Sequence, residues 1–349
     1  MLRRGIEKAA GARMDIEKVR QERTVLVIGA PRSGTTWLGK ILDSHPMVLY
    51  RHEPDTLIRN SHIPRVVADC DVEAIRDTAA MCLDAMVGGR FLKASGTMPL
   101  FRKSYRTPLA QQAYSAMVMG LRIAQKATGD VRRMRRMLAP DLVDPQHADD
   151  ITVVVKSILS RGRANVYAHA KPGMRIVLIL RDPFGQVASM LRGVALGKFD
   201  ADVVLTDCLD TPHAHKYGLT PDLFARLQPV EQYAWHWALL NEKAMDDLRP
   251  HANAEVIRYR DLVFDPELVT RSLFKFCDLS WQDQTARFLR VSTTSNLPDS
   301  YYQVYKNSMD SLNKWRRQLT TAQQRQIAAS LAGTAAWRLY PELHDVPGA

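Results

Sequence analysis

Apolar residues along the chain fall into a few short unbroken runs separated by stretches in which they recur every three or four positions. Thr24-Val25-Leu26-Val27-Ile28 is a continuous β-branched run of the kind buried on both faces of a parallel sheet. From Thr35 to Ser44 the apolar positions Trp37, Leu38, Ile41 and Leu42 keep helical spacing, and Ser44-His45-Pro46 supplies the stop. Met47 to Tyr50 predicts a short strand. The polar segment Arg51-His52-Glu53-Pro54-Asp55 follows it and belongs at the carboxyl edge of such a sheet, where ligands bind in open α/β folds. Helices are predicted from Val72 to Met86 and from Pro108 to Leu138, and strands resume at Ile151 to Val155 and Arg175 to Leu180 with a helix-compatible stretch between them. Gly197 to Pro229 is rich in Asp, His, Pro and Gly with weak periodicity, which predicts an irregular region beside a site. Beyond it come a helix from Val230 to Leu248, a strand from Glu255 to Tyr259 and two helices bracketing Asp278-Leu279-Ser280. A Ser/Asn/Tyr-rich loop from Ser292 to Asn313 and a final helix from Thr320 to Leu339 complete the pattern.

Strands alternating with helices imply an α/β fold, a three-layer α/β/α arrangement on a central parallel sheet. No repeat or flexible linker divides the chain, so residues 24–349 read as one domain behind a lead-in segment, 1–23. That domain carries a helical insertion at about 72–147 and a loop insertion at about 197–229. Hydrophobic residues at 46 % and charged residues at 24 % exclude disordered, fibrous and membrane-spanning classes. The net charge of +11 favours anionic partners without saying which. Part of it sits in Arg132-Arg133-Met134-Arg135-Arg136, which reads as a solvated helix end, with an anion or nucleic-acid patch as the alternative. Cys70, Cys82, Cys208 and Cys277 are scattered without metal-ligand or disulfide spacing, so no metal is expected and the thiols suit a reducing compartment. Met1 to Glu22 lacks the apolar run of a signal peptide or anchor, from which a cytoplasmic location without a transmembrane segment is expected.

The chemistry concentrates in Gly29-Ala30-Pro31-Arg32-Ser33-Gly34-Thr35-Thr36, which leaves a buried strand and opens a helix. Free N–H groups and the positive helix end converge on one anion in that setting. The spacing overlays the nucleoside-triphosphate loop G-x-x-x-x-G-K-[ST], but Thr35 stands where the lysine belongs, and Asp182, after Arg181, is no clean Mg²⁺ partner. A triphosphatase is disfavoured; Arg32 inside the turn, flanked by the hydroxyls of Ser33, Thr35 and Thr36, suits a shorter 5′ anion without metal. The second constellation, Arg181-Asp182-Pro183-Phe184-Gly185-Gln186-Val187-Ala188-Ser189, again leaves a buried strand and starts a helix. Taken alone it is a capped helix start as readily as a ligand site.

Together the two segments resemble the sulfotransferases that use 3′-phosphoadenosine 5′-phosphosulfate (PAPS), bacterial and carbohydrate-type members in particular. Ala30-Pro31-Arg32-Ser33-Gly34-Thr35-Thr36-Trp37-Leu38 is similar to that family's 5′-phosphosulfate loop, and Arg181 with Ser189 is similar to its paired ligands for the 3′-phosphate. Glu231 to Asn241, Tyr259-Arg260-Asp261-Leu262 with Asp265-Pro266-Glu267, and Trp315-Arg316 extend the likeness across 24–340, outside 88–146 and 197–229. The resemblance implies PAPS as co-substrate and its bisphosphate PAP as product. It implies that Arg32, Ser33, Gly34, Thr35 and Thr36 hold the 5′-phosphosulfate, that Trp37 lies against the adenine, and that Arg181 and Ser189 fix the 3′-phosphate. Arg32 replaces the lysine usual in hormone- and phenol-sulfating members, and its fork can hold two oxygens at once. The Arg-Lys-Gly triplet of those members is missing; Lys306-Asn307-Ser308, with Trp315 and Arg316, is the nearest stand-in.

Sulfuryl transfer needs an in-line acceptor, cations at the leaving group and exclusion of water. Arg32 is the first candidate for stabilising the bridging oxygen and Lys156, at a strand end, the second. Glu53 and His52 are the candidate general bases, and Glu53-Pro54 resembles the Glu-Pro pair of carbohydrate-type members. His236 reads as a core-facing helix residue. Tyr233, Trp235 and Trp237 read as core, although they and Tyr301, Tyr302 and Tyr305 have the character of acceptor-pocket walls. The expected acceptor is a hydroxyl or amine of a small metabolite, glycolipid or saccharide. A nucleotide kinase with an aberrant loop and a basic nucleic-acid-binding protein are the rival readings.

Overall fold

The computed structural model describes residues 21–58, 62–128, 135–197, 205–294 and 308–344. Five strands, β1 (Thr24–Gly29), β2 (Val48–His52), β3 (Thr152–Ser157), β4 (Arg175–Leu180) and β5 (Ala254–Arg258), pair in parallel in the order β2-β3-β1-β4-β5. The unbroken apolar runs of β1 and β3 are buried along their whole length because each has a strand on either side and a helical layer on each face.

Alternation along the strands divides the core into two. Leu26, Ile28, Val153, Val155, Ile176 and Leu178 face helix α2 (Val72–Val87) and helix α4 (Ala164–Ala170). On the opposite face Val25, Val27, Val154, Val177 and Ile179 meet helix α1 (Thr35–Asp43) and the helices Tyr259–Phe264 and Pro266–Phe276. Helix α3 (Pro108–Thr128) comes between α2 and α4 in the sequence and packs on Leu92. A third cluster packs helix α5 (Pro183–Ala195) against helix α6 (Pro229–Leu248) and the C-terminal residues, with Phe184, Trp237, Trp315 and Trp337 inside it. The edge strand β2 is nevertheless buried: Arg51, wholly enclosed, donates to Val87 O at 2.9 Å and Ser95 Oγ at 3.0 Å and makes a two-bonded pair with Asp141 at 2.7–2.8 Å.

Four elements differ from the sequence expectation. The second long helix is described to Thr128, and Leu138 bridges Phe91 in an extended, antiparallel contact that a helix through that position would forbid. Within 205–229 the chain is helical rather than irregular: Pro212–Lys216 and Pro221–Arg226 start at Thr211 and Thr220, whose hydroxyls accept from Ala214 N and Leu223 N. Helices of that length are too short to display a period, yet they enclose a small core of Cys208, Leu209, Ala214, Leu219 and Phe224 against Leu239 and Leu240. The Ser/Asn/Tyr-rich segment is helical at both described ends, in Asp283–Thr294 and Ser308–Asn313. The last long helix stops at Leu331, where Thr334 turns its hydroxyl back onto Leu331 O at 2.8 Å. Most of the lead-in, Arg132, Arg133, Tyr301, Tyr302, Tyr305, Lys306 and the side chain of Ser308 lie outside the described residues.

Candidate active site

The loop after β1 is built to expose backbone N–H groups. Arg32 and Gly34 both have positive φ, 72° and 97°, and Ser33 between them spends its hydroxyl and its N–H on Ala30 O at 2.8 and 3.1 Å. Ser33 is therefore buried inside the turn rather than presented by it. At Gly34 the conformation and a neighbour agree: an added Cβ would sit 2.4 Å from Tyr259 Cδ2. The loop delivers the chain into α1, so the positive end of that helix faces the carboxyl edge of the sheet.

Parallel register brings His52 beside Lys156 at the ends of β2 and β3. Glu53, with a left-handed φ of 47°, continues the ladder by donating its N–H to Lys156 O at 2.8 Å. Its carboxylate lies against Lys156 Nζ through Oε1, 3.5 Å from Lys93 Nζ through Oε2, and 3.8 Å from His52 Nε2. The Lys156 ammonium, 1 % exposed, also reaches Thr36 Oγ1 at 3.4 Å, so one cation spans the loop after β1 and the carboxylate after β2. Burial alone would raise Glu53, but Lys156, His52 and Lys93 outweigh it and hold the carboxyl at about 2. Burial first, then Lys156, push His52 down to about 3. The imidazole is thus neutral, with Nδ1 3.0 Å from the Tyr50 hydroxyl. Lys156 itself is lowered by burial against the opposing pull of Glu53. Behind them Asp55, raised mainly by burial, accepts from the hydroxyl of Ser157.

The end of β4 supplies the other half. Arg181 donates to Arg32 O at 2.9 Å and to Ser311 O at 2.7 Å while its guanidinium lies over the Tyr259 ring at 5.1 Å. Arg32 Nε in turn donates to Ser189 Oγ at 2.9 Å. Asp182 is the cap of α5, accepting from Gly185 N at 2.6 Å, which accounts for an aspartate here without a metal role. Lys314 completes the edge. Its pKa is lowered by partial burial and by four surrounding cations, Arg192, Arg317, Arg32 and Arg181. Cations gathered this closely around Lys314 make an edge suited to an anionic ligand.

Residues 24–283 match the model of the sulfotransferase family. The chain belongs to that family. No curated protein matches the sequence. Among solved structures the chain is similar to a sulfotransferase domain of the curacin biosynthetic pathway, at 14 % identity, TM-score 0.41, over 88 % of this chain and 96 % of that one. It is also similar to a mouse sulfotransferase complexed with PAP, at 12 % identity, TM-score 0.41, over 93 % and 90 %. Retinol dehydratase in a complex with retinol and PAP matches at 14 % identity, TM-score 0.40, over 91 % and 82 %.

In this sulfotransferase Arg32, Gly34, Thr36, Glu53, His52, Lys156, Arg181 and Ser189 all gather at the carboxyl edge of the sheet, as the sequence placed them. Trp37, Trp315 and Arg316 lie in packing contacts, and His236 sits within helix α6. Trp37 is 8 % exposed, with its indole N–H on Ser292 Oγ at 3.0 Å and its ring edge-on to Tyr259. Trp315 is buried and stacks on Phe184 at 4.6 Å, so it supports α5 from beneath, and Arg316 lies over that ring on the exposed side. His236 is set 3.5 Å from Asp207, next to the 205–229 segment, and is lowered chiefly by burial. Sequence reasoning did not single out Lys93 or Lys314; it read Trp237 as core, where the side chain is buried with its indole N–H on Arg181 O at 2.9 Å, and named Tyr259 as part of the resemblance without a role. The only local signal for Lys314 is its place before Trp315-Arg316, and for Lys93 there is none, because it reaches Glu53 from a stretch without a recognisable motif of its own.

Proposed function

We propose that this sulfotransferase moves the sulfuryl group of PAPS to a hydroxyl or amine of a small metabolite, glycolipid or saccharide, in line and with Glu53 as general base. The observation that carries the reading is the Lys156 ammonium held between Thr36 of the phosphosulfate-type loop and the Glu53 carboxylate. The donor supplies the sulfuryl group and a bisphosphate leaving group when bound. Arg32, Thr35, Thr36 and the exposed N–H groups of the loop bind its 5′ end, and the cations Arg181 and Lys314 with Ser189 bind the 3′-phosphate. Arg32 reaches Ser189 across the site, which supports one continuous anion cradle rather than two separate ones. Lys156, turning from Glu53 towards the loop, neutralises charge on the departing oxygen. That turn also removes the strongest influence holding Glu53 down. Burial then raises its basicity as the acceptor proton arrives, so the proton leaves for Glu53 as the new S–O or S–N bond forms. His52, neutral and bonded to Tyr50, keeps the carboxylate oriented.

Calorimetric titration with PAP is the direct test: binding is expected, and its absence at millimolar ligand overturns the reading. Arg32→Ala is expected to abolish transfer, whereas Glu53→Gln lowers turnover and spares donor binding. Full turnover by Glu53→Gln would reassign the base.

A further inference from the structure

Helix α3 has 21 residues, of which Tyr114 and Val118 are the buried ones, packed on Leu92. On the opposite side Leu109, Ala113, Ala116, Gly120, Ile123 and Ala127 recur at three- and four-residue spacing, and every one is exposed. Leu109 is 76 % and Ile123 64 % exposed, with Met119 beside them. A solvated helix face carries several charges, but here Lys126, at the edge of the apolar stripe, is the one exposed charged side chain of α3, and there is no Asp or Glu anywhere between Pro108 and Thr128. The charge lies around it. In 101–136 the described residues include four exposed cations, Arg102, Lys126, Arg135 and Arg136, while Lys103 and Arg106 are buried, Lys103 against Asp43 at 2.8 Å. Arg135 and Arg136 are exposed and run directly into exposed Met137 and Leu138, and Leu138 bridges Phe91 next to the Leu92 that seats α3. Apolar side chains and unbalanced cations thus share one surface.

We propose that this surface docks on an anionic lipid membrane, with α3 lying in the plane of the interface. Leu109, Met119 and Ile123 enter the boundary between headgroups and acyl chains, and Arg135 and Arg136 engage lipid phosphates. A second copy of the chain suits the surface poorly, because pairing α3 with itself brings two strongly basic segments together with no carboxylate on either helix. A nucleic acid would satisfy the arginines and leave Leu109 and Ile123 in water. No described helix is long and apolar enough to cross a membrane, so the mode of attachment is peripheral. The surface is also joined to the transfer site: Leu92 beneath α3 precedes Lys93, whose ammonium lies 3.5 Å from Glu53.

Sedimentation of the full chain with vesicles of phosphatidylcholine alone, and of phosphatidylcholine mixed with phosphatidylglycerol, tests this independently of any activity. Binding to the mixed vesicles alone is expected. Leu109→Gln with Ile123→Gln should weaken it about tenfold through lost apolar burial. Arg135→Gln with Arg136→Gln should weaken it by about tenfold or more through lost charge. All four positions are exposed, and an unchanged melting temperature confirms folding. The proposal is overturned if the wild-type chain stays in the supernatant, or if the apolar pair sediments like wild type, which leaves charge alone. A wild-type dimer that the apolar pair converts to monomer would assign the face to a second copy instead.

Discussion

Replacing Glu53 by Gln keeps the shape of the side chain and removes one charge from a buried pair, and its cost can be worked from the site. The carboxyl sits at about 2 where an ordinary glutamate has 4.5. At 1.36 kcal/mol for each pH unit that difference corresponds to about 3 kcal/mol of folded-state stability. The same size follows from leaving Lys156, 1 % exposed, charged and without its carboxylate, since breaking a buried pair from one side costs about 3–5 kcal/mol and Glu53 retains some exposure. The sign differs between the partners. For Glu53, whose folded pKa is depressed, the stabilisation is complete above about pH 4.5 and is lost as the pH falls towards 2. For Lys156, lowered by burial, the charged form is penalised in the folded state, and more so in the variant, so stability recovers as the pH rises and the ammonium gives up its proton. Urea unfolding followed by tryptophan fluorescence should therefore find Glu53→Gln about 3 kcal/mol less stable than wild type at pH 7, with the gap narrowing by pH 9. A gap under about 1 kcal/mol at pH 7, or one that does not change between pH 7 and 9, would refute the idea that this pair is buried and mutually dependent.

Two further outcomes test the other half of the site. Lys314→Ala should weaken PAP binding about tenfold in calorimetry, because it removes a cation gathered with Arg32 and Arg181; unchanged affinity would remove Lys314 from the cradle. Gly34→Ala places a Cβ 2.4 Å from Tyr259 at a φ of 97°, and should cost about 2–4 kcal/mol in denaturant unfolding and displace the ring over which Arg181 lies; a stability loss below about 1 kcal/mol would show that the loop relaxes freely.

The strands, α1 and the two strand-to-helix segments after β1 and β4 were legible because their signals are local. A run such as Val25 to Ile28 can be buried on both faces only in a parallel sheet, and a Gly/Ser turn leading into a helix concentrates N–H donors whatever surrounds it. The glutamate after β2 was legible as a candidate for the same reason, since a polar segment after a buried strand must emerge at the sheet edge. Short helices were not, because five or six residues between Thr211 and Arg226 carry less than two periods of pattern and owe their form to caps and to Leu239 and Leu240 beneath them. Trp37 and Trp315 read as ligand contacts by motif; the fold buries both, Trp37 edge-on to Tyr259 and Trp315 stacked on Phe184, contacts no local pattern announces.

By itself the sequence determined the architecture, the position of the Gly/Ser loop after β1 and the family to which the chain belongs, all properties of contiguous stretches. Only the tertiary structure decided which charges meet. Lys156 is adjacent to nothing informative in the chain, yet register with His52 puts it on Glu53, and the crossing of β4 beside β1 puts Arg181 on the backbone of Arg32. Lys93 and Lys314 come from opposite ends of the sequence to the two ends of one edge. Pairwise electrostatics depends on distance in space, and a chain of side chains specifies that distance only after every strand has found its neighbour.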